Sequence, residues 1–303
     1  MSHIHIPIPN NFSFRECLWF LDRNYDDCLY RVNDHSVIRP IRVEGKPVLF
    51  EVKQKGDALV VELLSESSEQ ALVAVEAYVR DWFDLDRDIS GFYQRLQEHP
   101  VLSYMPESFH GLRLIGIPDL FEAICWCIIG QQINLSFAYK LKRRMVEAYG
   151  ESLEREGAVH YLFPKPEVLA ALERDDLKDL QFSRQKADYV IHVARLVSEG
   201  ALSKEEVITL PDRNSQLKAL VAVKGIGEWT ANYVMMKTLK DMNCITIGDT
   251  GLNSALEAHE LVQNKKDKDE VRAFFTDFED WKSYLNIYLW RSLSAPAFAT
   301  DVD

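Results

Sequence analysis

The 303-residue chain lacks long apolar runs, a surplus of basic residues and clustered cysteines. No run approaches the roughly 20 apolar residues that a membrane-spanning helix needs. Met1 to Pro9 carries neither the basic nor the apolar part of a signal peptide. We therefore expect a cytoplasmic protein with no membrane partner.

The five cysteines are odd in number and scattered, which is typical of a reduced compartment. Cys125 and Cys127 stand two residues apart in an apolar helical pattern, so they cannot face the same way. We expect them to be small buried apolar side chains. The full set is Cys17, Cys28, Cys125, Cys127 and Cys244.

The formal net charge of −12 argues against a generic, charge-driven nucleic-acid binder. It is compatible with a DNA enzyme that holds few phosphates through backbone amides and a local basic patch. Acidic residues concentrate in Glu62–Glu76, Asp81–Asp88 and Asp267–Asp280, which we expect to face solvent. The basic residues form either a local positive patch or an ordinary solvated helix face. They are Lys140, Lys142, Arg143, Arg144, Arg184 and Lys186.

The hydrophobic pattern changes near residue 84. Before it, alternating runs predict a small antiparallel sheet, with helices at Phe12–Leu21 and Ser68–Phe83. The runs are Cys28–Val32, Val37–Val43, Val48–Val52 and Leu59–Leu64. The segment with His3 and His5 is expected to be a flexible tail. After residue 84 strand signals nearly vanish. The fold class predicted is therefore α+β, with an N-terminal sheet and a mostly helical remainder.

The stretch from Leu220 to Leu252 carries the most specific pattern. Residues 221–229, VAVKGIGEW, read as a helix end, a Gly-x-Gly turn and a helix start. Glycines permit left-handed backbone, and the free amides of the second helix favour an anion. Trp229 and Tyr233 share one face of that helix. A plain corner between two helices would also explain the turn, and aromatics at this spacing are usually core.

The order KGIGEWTANY at 224–233, followed by IGDTGL at 247–252, is the distinguishing feature. It resembles the helix-hairpin-helix motif with its following loop and Asp in the base-excision (HhH-GPD) DNA glycosylase superfamily. The resemblance is nearest to the AlkA type, the DNA-3-methyladenine glycosylases II, and covers Leu112 to about Leu293 clearly. It implies an alkylpurine glycosylase that flips the damaged base out of double-stranded DNA and hydrolyses its glycosidic bond.

The resemblance also implies residue roles. Asp249 would be the catalytic carboxylate, although a helix cap is an equally simple role for it. The base pocket would contain Trp229, Tyr233 and Trp281, the last within Trp-Lys-Ser-Tyr at 281–284. Gln132 or Ile133, in an interhelix turn, would fill the gap in the DNA. The phosphate contacts would be Lys224, Gly225, Gly227 and Thr230. Carbonyls of Val221, Val223 and Ile226 would hold a monovalent ion. No cysteine follows Cys244, so we expect no iron–sulfur cluster.

Two departures from the family pattern bear on subclass. Glycosylases that also cut the strand use a lysine amine at the position of Trp229, and an indole is no nucleophile. The sequence therefore predicts a monofunctional enzyme. Thr250 stands where the AlkA type has an aromatic residue, which affects substrate range. The alternatives are an oxidised-guanine glycosylase/lyase, and a non-catalytic hairpin protein that only binds damaged DNA.

The resemblance divides the chain into four predicted parts. Residues 1–85 form an N-terminal α/β domain, and 86–112 a connecting helix that packs with the C-terminal lobe. Residues 113–241 form a helical domain with the hairpin, and 242–303 a C-terminal helical lobe with Asp249. We expect the protein to act as a monomer, associated with the nucleoid if it is bacterial.

Overall fold

The computed structural model describes residues 3–23, 25, 27–65 and 68–294. Its N-terminal part is a five-stranded antiparallel sheet with the spatial order β1-β5-β4-β3-β2. The strands are β1 (His3–Pro7), β2 (Arg31–Asn33), β3 (Ser36–Val43), β4 (Lys46–Lys55) and β5 (Ala58–Leu63). Alternating burial along β5 places one face of the sheet on the core, as the sequence pattern predicts.

The prediction of a flexible N-terminal tail is wrong. Residues His3 to Pro7 form the edge strand β1, which pairs with β5 from His3–Glu62 to Pro7–Ala58. Ile6 is fully buried. The alternation of His and Ile over 3–6 suits a half-buried strand, and the edge pairing supplies the backbone partners.

Two helices cover the core face of this sheet. Helix α1 (Phe14–Leu21) begins at Ser13, whose hydroxyl accepts the Glu16 amide at 3.2 Å. Helix α2 (Glu69–Trp82) buries Val75, Val79 and Trp82 along one stripe. A single turn separates its end from the helical remainder of the chain.

The remainder is helical except for one hairpin that the sequence pattern did not predict, β6 (Ser152–Arg155) with β7 (Ala158–Tyr161). The helices are α3 (Ser90–Glu98), α4 (Met105–Ser108), α5 (Leu120–Gly130), α6 (Leu135–Tyr149), α7 (Pro166–Ala170), α8 (Arg184–Ser198), α9 (Lys204–Ile208), α10 (Arg213–Val221), α11 (Glu228–Thr238), α12 (Thr250–Ala258), α13 (Lys268–Phe274) and α14 (Lys282–Ser292). Short 3-10 turns occupy Arg174–Leu177 and Phe275–Phe278. The predicted α+β class is confirmed.

Buried polar contacts join the N-terminal part to the C-terminal helices. Arg291 of α14 pairs with Glu16 of α1, Nε to Oε2 at 2.9 Å. The buried Arg113 donates to the Asp84 carbonyl, and the Tyr284 hydroxyl donates to the Asp84 carboxylate at 2.6 Å. One apolar cluster runs across residues 85, 112 and 241 without a break. The four-part division therefore stays a prediction. Among the described residues, no helix is both long and apolar enough to cross a bilayer.

Candidate active site

A cavity of about 1070 Å³ lies where the N-terminal part meets the helical remainder. Its walls come from the end of α1, the turn between α5 and α6, one face of α11, the turn at 248–251 and the end of α14. This volume is at the upper end of small-ligand sites and is enough for a nucleobase with its sugar. It is lined by Trp229, Tyr233, Lys237, Asp249, Gln132 and Ile133, among others.

Helix α11 presents three side chains to the cavity at a spacing of four residues: Trp229, Tyr233 and Lys237. The rings of Trp229 and Tyr233 are stacked, with centroids 5.4 Å apart and planes at 25°. The indole Nε1 of Trp229 is buried and has no hydrogen-bond partner in the described chain. Burial raises the pKa of Tyr233, which stays a neutral phenol. The helix therefore offers a flat aromatic wall for a planar ligand.

Asp249 caps a helix and also lines the cavity, so the two roles that the sequence left as alternatives are compatible. It is the N-cap of α12, since its Oδ1 accepts the Leu252 amide at 2.8 Å. The same Oδ1 accepts the indole N–H of Trp290 at 2.9 Å. Over the described residues, neither bond uses Oδ2. The positive φ of Gly248, +89°, turns the chain so that the half-buried carboxylate lines the cavity. One oxygen holds the residue in place and the other is available to a ligand.

A polar stripe on α14 fixes the segment that carries Asp249. Ser283 Oγ accepts the Cys244 amide at 3.2 Å and donates to the Asp241 carbonyl at 2.6 Å. Asn286 Oδ1 accepts the backbone amide of Thr246 at 3.2 Å. Ser283, Asn286 and Trp290 follow one another at three and four residues, so they share a face. This face positions the segment 241–249 and, through Trp290, the carboxylate itself.

The prediction that Trp281 lines the base pocket is corrected by the structure. Trp281 does not border the cavity; it packs against α3, where its ring lies 6.0 Å from that of Phe92. A Cβ on Gly91 would sit 3.3 Å from its indole. Trp281 is the N-cap of α14, with a non-helical φ of −133°, whereas Trp290 lies within the helix near its end. The two indoles therefore have different neighbours, α3 for Trp281 and the Asp249 carboxylate for Trp290.

Trp290 is the functional residue that the sequence reasoning missed. Its ring lies 6.3 Å from that of Tyr233, and its indole N–H holds Asp249. The signal that would have found it is the polar stripe: Ser283 and Asn286 are fully buried on one face of α14. Buried polar side chains must have partners. Trp290, the next residue on the face that carries Ser283 and Asn286, therefore contacts the same segment, 241–249.

Lys237 is a deeply buried lysine in the wall of the cavity. It is 2% exposed, and its Nζ has no hydrogen-bond partner among the described residues. Burial lowers its pKa well below the ordinary value, and the charges of Lys240 and Arg23 lower it further. Its Nζ lies 4.4 Å from the Phe20 ring centroid. Such a contact adds roughly 0.5–2 kcal/mol, less than the several kcal/mol that burying an unpaired ammonium costs. Burial and the neighbouring positive charges therefore both favour the uncharged form of this amine.

Two ion pairs close the inner part of the cavity. Arg39 pairs with Glu122 at 2.9 Å, and Lys142 with Asp27 at 2.6 Å. Burial raises the pKa of Glu122, and the charge of Arg39 opposes that rise. All four charges are thus compensated within the protein. They contribute little net charge to a ligand, in contrast to Asp249.

The turn between α5 and α6 stands at one edge of the cavity. Gln131 Nε2 donates to the Gly225 carbonyl at 2.9 Å and so ties this turn to the hairpin. Gln132 has a positive φ of +57° and an exposed side chain. Ile133 is half-buried and packs against the apolar core. We call residues 131–134 and 221–227 the rim.

The hairpin of the rim has the expected helix–turn–helix geometry. Gly225 has φ +98°, and a Cβ there would come within 2.6 Å of the Tyr189 ring, so no other residue fits. Gly227 is the N-cap of α11 and provides no side-chain cap. Lys224 is exposed beside it. The first amides of α11 are consequently open to an anion.

Burial corrects the expected surface position of one predicted phosphate contact, Thr230, and of two residues of the predicted basic set, Lys142 and Lys186. Thr230 is only 2% exposed, because it faces the core one turn into α11, so its hydroxyl does not reach the surface. Lys142 and Lys186 are also buried: the first pairs with Asp27, and the second donates to the Ile129 carbonyl. Burial lowers the pKa of Lys186 to about 8. The positive patch is therefore smaller than the sequence indicates.

The predicted monovalent-ion site lies in the turn of the hairpin. Its carbonyls are those of Val221, Val223 and Ile226, and that of Val223 accepts the Ile226 amide at 3.0 Å. A carbonyl oxygen has a second lone pair, so the Val223 carbonyl can accept one more contact.

All five cysteines are buried and free. Burial raises the pKa of Cys28 to about 12, as expected for an inert thiol.

Two family models match the chain. The model described as HhH-GPD superfamily base excision DNA repair protein matches residues 125–279, just over half of the chain. The model described as 8-oxoguanine DNA glycosylase, N-terminal domain, matches residues 21–124. The two matches meet near the start of α5.

Known proteins resemble the chain over nearly its whole length. A DNA-3-methyladenine glycosylase of Bacillus subtilis is 36% identical over 294 residues, 96% of this chain and 97% of that protein. A solved 3-methyladenine DNA glycosylase from Archaeoglobus fulgidus has the same fold, with a TM-score of 0.80 and 21% identity over 96% and 97% of the two chains. A Clostridium acetobutylicum 8-oxoguanine glycosylase/lyase solved with DNA gives a TM-score of 0.76 and 19% identity over 96% and 97%.

Proposed function

The chain belongs to the HhH-GPD superfamily of base excision DNA repair proteins, and from that premise we propose that it is a monofunctional DNA glycosylase for alkylated purines. It would hydrolyse the bond between base and sugar and leave an abasic site. The observation that carries this proposal is the free Oδ2 of Asp249 at the edge of a cavity walled by Trp229 and Tyr233. The name of the B. subtilis relative supports the same substrate class.

The chemistry follows from the charge of Asp249. Breaking a C1′–N bond places positive charge on the sugar in the transition state. A carboxylate beside C1′ stabilises that charge and orients or deprotonates water. Trp290 and the Leu252 amide fix Oδ1, so Asp249 does not reorganise during the reaction. Oδ2 is the oxygen that faces the reacting atoms.

Alkylated purines suit this site because they leave without help from an acid. A purine methylated at N3 or N7 is already cationic, so 3-methyladenine and 7-methylguanine need no proton. Cationic rings also stack well on electron-rich aromatic side chains, and each such contact contributes roughly 0.5–2 kcal/mol. Trp229 and Tyr233 provide this wall, and Trp290 extends it beside Asp249.

Double-stranded DNA carrying the damaged base would bind at the rim. The open amides after Gly227 would hold a phosphate, with Lys224 beside them, which positions the duplex without reading its sequence. Gln132 would fill the gap left by the flipped nucleotide, because its side chain is exposed whereas Ile133 packs inward. This binding mode needs few basic residues, which reconciles it with the net charge of −12.

Hairpin carbonyls complete the proposed DNA contact. Those of Val221, Val223 and Ile226 would hold a monovalent cation, which would add positive charge next to the phosphate. We propose that the protein works as a monomer. We expect it where its substrate is, in the cytoplasm and at the nucleoid if it is bacterial.

A second candidate is an oxidised-guanine glycosylase/lyase. The observation that favours it is the match of residues 21–124 to the N-terminal domain of 8-oxoguanine glycosylases. Against it, the indole of Trp229 stands at the position that the resemblance gives to the lyase lysine. Lys224 is exposed in the hairpin, and Lys237 lies two helical turns beyond Trp229.

One excision experiment separates these candidates. Duplexes carrying methylated, deaminated or oxidised bases are incubated with the protein, and the released bases are identified by chromatography. We expect release of 3-methyladenine and 7-methylguanine, an unbroken abasic strand and no adduct trapped by borohydride. A stoichiometric trapped adduct would establish a lyase. Tight binding to damaged duplex without release of any base would establish a non-catalytic binding protein.

A further inference from the structure

Lys237 differs from the other buried lysines of the described chain. Lys142 pairs with Asp27 at 2.6 Å, and Lys186 donates to the Ile129 carbonyl. Lys237 has neither a carboxylate nor a carbonyl partner, although it is as deeply buried. A buried polar group without a partner destabilises the fold. No group in the described parts of the chain compensates for this one, which points to a partner that arrives with the ligand.

The position of Lys237 is at the inner end of the aromatic wall. It follows Trp229 by eight residues on the same face of α11, about 12 Å along a helix that rises 1.5 Å per residue. The backbone around it is capped by the segment 115–117, since the Ile117 amide donates to the Lys237 carbonyl at 2.9 Å. Trp229 lies next to the hairpin, so a base entering from the rim passes it before reaching Lys237.

The surroundings of Lys237 disfavour a positive charge on it. The charges that act on its amine are those of Arg23, beside α1, and Lys240, beyond the end of α11. Arg23 also contacts the Phe20 ring that Lys237 touches, at 4.3 Å. The other charged groups lining the cavity are Asp27, Arg39, Glu122, Lys142 and Asp249. The first four are engaged in ion pairs with one another, and Asp249 is held by Trp290.

We propose that the unpartnered amine of Lys237 hydrogen-bonds the edge of the flipped base and sets a preference for cationic over neutral bases. This inference rests on the proposed function and names a specificity-determining residue for it. A neutral amine has two N–H donors and one lone pair, so it matches a purine edge with either a carbonyl or an N–H. An ammonium has no lone pair and would repel a cationic base.

The test compares excision by the wild type, Lys237→Met and Lys237→Arg. Methylated duplex reports 7-methylguanine, which is cationic, and an inosine duplex reports hypoxanthine, which is neutral. Single-turnover rates are measured from pH 6 to 9. We expect Lys237→Met to lose about tenfold on 7-methylguanine. Lys237→Arg, a permanent cation, should lose more on 7-methylguanine than on hypoxanthine.

The pH profile is the readout that a merely structural role would not move. Lowering the pH protonates the amine, so the ratio of 7-methylguanine to hypoxanthine excision should fall in the wild type. In Lys237→Met this dependence should be absent. Lys240→Met is the matched control: it removes a neighbouring lysine that does not line the cavity. The Lys240 charge lowers the pKa of Lys237, so this variant should keep a pH-dependent ratio, with the change moved to higher pH.

Three results would overturn the proposal. The first is an identical ratio, with an identical pH profile, in the wild type and Lys237→Met. The second is a ratio that rises at low pH, which would make Lys237 an acid for neutral bases. The third is a loss of the pH dependence in Lys240→Met as well as in Lys237→Met, which would indicate a general charge effect. If the wild type releases no alkylated base at all, the proposed function itself fails, and that outcome is distinct from these three.

Discussion

The cavity wall and the rim are built from different kinds of groups. The wall consists of side chains: the stacked Trp229 and Tyr233, the amine of Lys237 and the Asp249–Trp290 pair. The rim contributes backbone amides after Gly227 and the exposed Gln132. Backbone groups are insensitive to residue identity, whereas chemistry requires particular side chains. Substitutions in the wall should therefore change rate, and substitutions in the rim should change affinity.

The largest expected effect comes from Asp249→Asn. Asn keeps an Oδ1 that accepts from Leu252 and Trp290, so the cap of α12 should survive. The negative charge that faces the sugar is lost. Losing one such preorganised group reduces the rate by about 10²–10³, equivalent to about 2.7–4 kcal/mol. Single-turnover excision of methylated purines measures it.

The same variant separates catalysis from structure. Its melting temperature should equal that of the wild type, and its affinity for undamaged duplex should be unchanged or higher, because a negative charge near phosphate is gone. Near-wild-type excision would end the case for Asp249 as the catalytic group. A large fall in melting temperature would show that its role in the cap dominates.

The next prediction contrasts Trp290 of α14 with Trp281, the N-cap of the same helix. Trp290→Phe keeps a ring beside Tyr233 but removes the N–H that holds Asp249 Oδ1, so excision should fall about tenfold, or 1.4 kcal/mol. Trp281→Phe is the matched control. It alters packing against α3 outside the cavity, so excision by the folded fraction should stay within about twofold. Equal losses in both variants would contradict the assignment of Trp290.

Trp281 and Trp290 also show which parts of the site the sequence predicts and which parts depend on tertiary contacts. The hairpin and the capping Asp249 are local patterns of glycine and of an Asp before a helix, so their geometry was predictable. Trp281 caps α14 and Trp290 lies near its end, and the local pattern alone does not say which of the two meets the cavity. That choice depends on where the segment 241–249 docks, through Ser283 and Asn286.

Burial was the other property that the linear sequence did not reveal. Lys142, Lys186 and Thr230 were expected at a surface and are buried. Lysine is rarely buried unless it has a partner, and Asp27 and the Ile129 carbonyl lie far from these lysines in sequence. Strand β1 was missed for a similar reason: its stability comes from pairing with β5, more than 50 residues away.

A rim substitution should affect binding more than chemistry. Replacing Gln132 and Ile133 together by Ala removes the filler of the DNA gap, so affinity for abasic duplex should fall several-fold, with a smaller loss of excision at saturating protein. Gel-shift titration and single-turnover rates measure the two effects. Gln132→Ala alone, with Ile133 retained, tests whether the exposed side chain is the filler. Unchanged affinity in both variants would leave the turn a purely structural connection.

The smallest expected effect concerns stability, and it has the opposite sign. Lys237→Met removes an unpaired buried amine, so the melting temperature near neutral pH should rise by about 2–4 °C, or roughly 1 kcal/mol. The pKa of Lys237 is lower in the folded state than in the unfolded one. Below the unfolded value of 10.5, the unfolded chain therefore binds a proton that the folded chain does not, and the wild type loses stability as pH falls.

The advantage of Lys237→Met should consequently be greatest at neutral pH and shrink as pH rises toward 10.5. Lys240→Met is the control of opposite sign, since the Lys240 amine donates to the Leu114 carbonyl at 3.0 Å and its loss should lower the melting temperature. A more stable Lys237→Met that excises 7-methylguanine poorly would show that the wall retains this amine for its ligand at the expense of the fold. A destabilised Lys237→Met would instead mean that the amine has a structural partner. Lys237, at the inner end of α11, would then belong to the structure of the wall and not to its reactive groups.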